Sequence, residues 1–149
     1  MVLFQTVLER DLLSLFEDPP ETAALCAQRW AEAMENYAST VLPRSSTASA
    51  ASAALELSLV SLFSTSLSST TTSIAMEAAW LTFATTLGIG MAPDWVSTPP
   101  PGPIGFSLLF EARPETHREA ASNFATSIHL WLLTGIAVNS TSGATVNWS

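Results

Sequence analysis

The chain has 149 residues, 48% of them hydrophobic and only 12% charged, with a formal net charge of −8. Its five cationic side chains are all arginine, so no basic surface exists to follow a phosphate backbone, and nucleic-acid binding is excluded. The apolar fraction excludes intrinsic disorder, and a single cysteine, Cys26, excludes a disulfide framework or a cysteine-cluster zinc site. The opening residues, MVLFQTVLERDLLSLFEDPP, carry Glu9, Arg10 and Asp11 mid-run and are expected to form an ordinary helix rather than a secretory signal. No membrane span is expected either. The longest uncharged central stretch, Leu57 to Met76, contains eleven Ser or Thr residues.

Proline and glycine punctuate a mainly α chain of about five helices. In Val2 to Phe16, Phe4, Leu8, Leu12 and Leu15 recur at helical spacing. Asp18-Pro19-Pro20-Glu21 predicts a stop and a restart, with Asp18 as cap and Glu21 completing a capping box. The second helix runs to about Leu42, with Ala23, Ala27, Trp30, Met34, Tyr37 and Val41 along one stripe, and Pro43 ends it. Ser45-Ser46-Thr47 offers caps for a third helix carrying Leu55, Leu59, Leu62 and Phe63. The Ser/Thr run from Ser64 to Ser73 reads as a turn. A fourth helix from about Ile74 aligns Met76, Trp80, Phe83 and Leu87, and Gly88, Gly90 and Pro93 close it.

Residues 97–103, rich in proline, predict a stiff extended connector. The apolar segment Ile104 to Phe110 is expected to be a short helix or an irregular packing segment. Thr116 and Glu119 box the start of the last helix, whose face is Ala121, Phe124, Ala125, Ile128, Trp131 and Leu132, with Gly135 as a left-handed stop. Two β-prone runs around Ser140 to Gly143 predict a C-terminal hairpin. The chain is expected to form a single domain: a helical region over 1–96, the connector over 97–103, an apolar segment and last helix over 104–135, and a hairpin or docking tail over 136–149.

No catalytic or cofactor constellation can be assembled from these residues. A Gly-x-Ser-x-Gly elbow is absent, and Cys26 lies between Leu25 and Ala27 within a helix, as a small buried hydrophobe does. His117 and His129 lie about 18 Å apart along one helix at about 1.5 Å per residue, too far to share a metal. His129 falls with Ser122 and Thr126, which places it at a surface or interface. No Glu-x-x-His pair occurs, Gly88-x-Gly90 lacks a third glycine, and the carboxylates read as solvated helix faces. Neither metal nor cofactor is expected. Trp30, Trp80 and Trp131 occupy core stripes, whereas Trp95 and Trp148 lie outside helices, where an aromatic anchors into a neighbour.

From Ala120 to Ser149 no Asp, Glu, Lys or Arg occurs. A free edge strand is ordinarily guarded by charge, proline or a bulge, and this tail has none of them. Trp95, Ile136, Val138, Val146 and Trp148 are therefore the candidate interface residues. The Ala-rich helix ending Tyr37-Ala38-Ser39-Thr40-Val41-Leu42-Pro43, the block Gly90-Met91-Ala92-Pro93, the connector Pro99-Pro100-Pro101-Gly102-Pro103-Ile104-Gly105-Phe106 and the ending Trp131-Leu132-Leu133-Thr134-Gly135 resemble small virion structural proteins of tailed bacteriophages. The resemblance covers most of the chain in order and carries over no functional residue. It implies a non-enzymatic, multi-copy component of the head, neck or tail, located in the virion, whose partners are other virion proteins and copies of itself. The alternative is a small helical ligand-binding protein or enzyme with an apolar pocket among its Trp and Met side chains.

Overall fold

The computed structural model describes residues 2–149: six helices and a three-stranded antiparallel sheet. The helices are α1 (Gln5–Glu17), α2 (Ala23–Ala38), α3 (Ala48–Phe63), α4 (Ser69–Ile89), α5 (Phe106–Glu111) and α6 (His117–Leu132). The strands are β1 (Trp95–Thr98), β2 (Ile136–Asn139) and β3 (Thr145–Asn147), in spatial order β1-β2-β3. Apolar stripes at helical spacing decide the packing: Ala27, Trp30, Met34 and Tyr37 of α2 are buried, as are Leu55, Leu59 and Leu62 of α3 and Trp80, Phe83 and Leu87 of α4. Phe16, Trp30, Trp80, Phe106, Phe110 and Phe124 touch through ring centroids 5.0–6.3 Å apart, mostly edge to face, which ties five of the helices into one core.

Several boundaries move from their expected places. Helix α1 starts at Gln5, and Leu3 rather than Phe4 is buried. Thr22, not Asp18, caps α2 by accepting from the Leu25 amide, because Pro19 and Pro20 hold the chain in a bend before it. Thr47 occupies the N-cap position of α3, but its hydroxyl donates to the Thr86 carbonyl instead. Ser45 Oγ likewise donates to Leu87 O at 2.6 Å, and the Ser46 amide to Gly90 O at 3.0 Å. The α2–α3 loop thus satisfies the carbonyls left orphaned at the end of α4. The Ser/Thr run is only partly a turn: Ser68 caps α4 by accepting from the Thr71 amide, and Ser69 to Ser73 form its first turns. Hydroxyls along α3 and α4 fold back on their own helices, as in Ser58 to Ala54 O, Thr82 to Ala78 O and Thr86 to Thr82 O. Half of the expected Thr116 box forms: Thr116 accepts from the Glu119 amide, but Glu119 accepts from the amide of Glu115 rather than that of Thr116.

The connector is anchored by one carboxylate. Glu77 of α4 accepts from the amides of Ile104, Gly105 and Phe106, each at 2.8 Å, and so caps the start of α5. Trp131 Nε1 donates to Gly102 O at 2.9 Å and fixes the other side of the connector. These bonds leave Phe106 fully buried.

The hairpin forms where expected, but it is not free. Its first strand pairs with β1, matching Val96 to Val138 and Ser97 to Ala137, so a boundary at residue 96 divides a strand. The last residues fold back further: Leu42 and Ser149 exchange backbone bonds at 2.7 and 3.0 Å. Trp148 is fully buried in the chain's own core, which corrects its expected role as an anchor into a neighbour. Gly135 is not left-handed either; only Gly102, Gly105 and Gly143 have positive φ. A Cβ on Gly135 would fall 2.4 Å from the Trp148 ring, so that glycine admits the indole, whereas one on Gly88 would meet Ser97 Oγ first, at 2.2 Å, with the indole at 3.2 Å. Trp148→Ala should therefore lower the unfolding free energy by about 3–5 kcal/mol in urea denaturation. A loss below about 1 kcal/mol would show that the indole contributes no core packing.

Candidate interaction surface

The two ends of the bundle differ in chemistry. At one end the sheet closes the bundle, flanked by the loops over 39–47, 90–94 and 133–149, in which Arg44 and Asp94 are the only charged residues. At the other end the α1–α2 and α5–α6 connections carry Asp18, Glu21, Arg113 and Glu115, with Glu17, Glu111, Arg118 and Glu119 on the adjoining turns. Charge is thus concentrated away from the sheet.

Strand alternation sorts the candidate residues into two faces. Val96, Thr98, Ile136, Val138, Thr145 and Asn147 share the outward face, all exposed, with Val96 at 66%. Ile136 and Val138 lie together there, as neighbours of Val96, which sequence reasoning missed because β1 was not anticipated. Trp95, Ala137, Val146 and Trp148 point to the other face, where Ala137 and Trp148 are buried, Trp95 packs half-buried against the core, and Val146 remains exposed beyond the bundle. The five candidates do not form one patch.

The sheet edges also differ. Ser140 N bonds Asp94 O, so the β1 residues facing away from β2 are Trp95 and Ser97. Trp95 N bonds Met91 O, and the Ser97 side chain lies against Gly88 of α4 on the inner face of the sheet. On β3 the bonds of Asn139 N to Ala144 O and Trp148 N to Gly135 O turn Val146 toward β2 and leave Thr145 and Asn147 facing outward. Neither has a backbone partner among the described residues.

A second feature lies at the charged end, where all six helices converge on an open apolar cleft of about 470 Å³. Its floor is Trp30 and Met76, and Phe16, Phe63, Phe110 and Phe124 form the walls. Cys26 lines it half-buried; burial pushes its thiol up, with Arg29 opposing in part, the reverse of what a reactive nucleophile needs. Among the described residues no group of three or more potential metal ligands occurs. No helix among them is long and apolar enough to cross a membrane.

His129 is half-buried, and the Tyr37 hydroxyl of α2 lies 2.6 Å from its Nδ1. Thr126, one turn earlier, accepts from Gln5 Nε2 of α1 at 2.8 Å. The polar stripe of α6 is thus spent on partners within the chain. Burial holds the Tyr37 phenol well above its usual range and lowers the His129 pKa, so a protonated phenol and a neutral imidazole share this hydrogen bond. Because the folded pKa is depressed, this contribution to stability is complete above about pH 6.5 and is lost as pH falls through the folded value. The stability difference between wild type and His129→Gln should shrink on acidification from about pH 7 to 5, in paired urea titrations. A pH-independent difference would refute the assignment. Comparisons with protein families, curated proteins and solved structures yield no match.

Proposed function

We propose that the protein is a structural subunit of a tailed-bacteriophage virion, acting through protein–protein contacts at its sheet end rather than through catalysis. The observation that carries this reading is the solvent-facing sheet surface: Val96, Ile136 and Val138 stand exposed on one face at the end of the molecule with least charge. Interface centres are depleted in charge in just this way. The resemblance in sequence supports the virion setting.

The test is particle association. Mass spectrometry of purified virions should find the chain at fixed stoichiometry. Val96→Glu and Val138→Glu should each retain the wild-type circular dichroism spectrum. Each should cut incorporation by about tenfold or more, since burying an unpaired carboxylate costs well above 1.4 kcal/mol. Undiminished incorporation of both variants would remove the sheet face from the assembly contacts, and virions lacking the chain would refute the reading as a whole.

The aromatic cleft favours a second reading, a binding protein for small apolar molecules. Its volume lies within the range of small-molecule sites, and its lining is aromatic and aliphatic apart from Thr72 and Cys26. Under that reading N-phenyl-1-naphthylamine binds saturably, and Ala120→Trp, which fills the cleft, abolishes the uptake. Unsaturable uptake would reject it.

A further inference from the structure

We infer that β3 is the seam of a two-fold pairing with a second copy of this chain; the proposal rests on the assembly reading and names one of its partners. The geometry of the edge is self-complementary. Thr145 and Asn147 both direct their N–H and C=O groups away from β2, with Val146 between them directed toward it. When two such edges meet antiparallel about a two-fold axis, Val146 falls opposite Val146 of the partner subunit. Thr145 then exchanges both backbone bonds with Asn147 of the partner subunit, and Asn147 does the same with the partner's Thr145. Every outward-facing donor and acceptor of the strand is satisfied by the same strand of the other copy, and two three-stranded sheets become one.

The surroundings limit the pairing to this register. Beyond Asn147 the next outward-facing residue, Ser149, already exchanges its bonds with Leu42, so the edge is closed there. On the other side the turn over 140–144 carries the chain back toward β2 and away from the seam. On the other sheet edge Trp95 N is already bonded to Met91 O, whereas the outward-facing donors and acceptors of β3 have no backbone partner among the described residues. Charge favours like meeting like at this place. Two chains of net charge −8 repel, yet Ala120 to Ser149 carry no acidic or basic side chain, and the acidic turns lie at the opposite end of the bundle. Val146, exposed at 39%, gains a matching apolar neighbour at the axis, where non-hydrogen-bonded pairs bring side chains closest. An edge of this kind is ordinarily guarded by lysine, proline or a bulge. Here it is unguarded. The three-residue seam is short for a stable interface, so pairing belongs to concentrated conditions such as those inside an assembling particle.

The register gives a sharp test. In a Cys26→Ser background, Val146→Cys places the two thiols opposite one another at the axis, within disulfide range. Thr145→Cys offsets its thiols by two residues along the seam. Under mild oxidation of the concentrated full chain, Val146→Cys should yield a covalent dimer as the main product, and Thr145→Cys should remain monomeric. Amide exchange at Thr145 and Asn147 of the wild type should slow as concentration rises. Equal crosslinking of both variants, no crosslinking of either, or concentration-independent exchange would overturn the pairing. The outcome is separable from that of the assembly reading: crosslinking with virions that lack the chain retains the pairing and refutes the virion role, and the opposite combination does the reverse.

Discussion

The seating of Trp148 between Gly88 and Gly135 is the contact on which the sheet end depends. The indole is the second-last residue of the chain, yet it is fully buried, and its ring occupies the space that a Cβ on Gly135 would need. Its placement draws β3 against β2, presents Ala137 to the core, and brings Ser149 alongside Leu42. One side chain therefore joins the end of α4, the end of α6, the sheet and the α2–α3 loop. The surface available to a partner is what remains on the far side of that junction.

Much of the helical architecture was legible in the sequence, because long apolar stripes at a period of 3.6 leave little freedom. The stripes of α2, α4 and α6 are buried almost residue for residue. The failures at the sheet end share a physical cause: a partner distant along the chain. Thr47 caps another helix, Gly135 is small for a ring that arrives thirteen residues later, and β1 exists because β2 returns to it from forty positions away. The candidate surface was half legible. Absence of charge marked the tail, but the tail's own pattern did not reveal that Trp148 faces inward while Val138 faces out. The bond between His129 and Tyr37 was not legible either, since the two lie 92 residues apart.

The separation of charge from the sheet end gives the subunit a direction. An acidic, aromatic-lined end and a nearly neutral, β-branched end present different problems to water and to neighbours. The neutral end tolerates close approach by a like-charged copy, whereas the acidic end resists it at low ionic strength. The connector runs from β1 at the sheet end to α5 beside the aromatic cleft and is held on the way by Glu77 and Trp131.

The hydroxyls of α3 and α4 alter how wet that flank of the molecule is. Ser58, Thr82, Thr85 and Thr86 are exposed or half-exposed, yet each donates to a carbonyl four residues earlier on its own helix. Their protons are already committed. Covering these four hydroxyls is therefore less costly than their composition suggests, because it strands none of their donors. Contacts made there would be driven by release of water rather than by ion pairing, with a negative heat-capacity change and little response to salt.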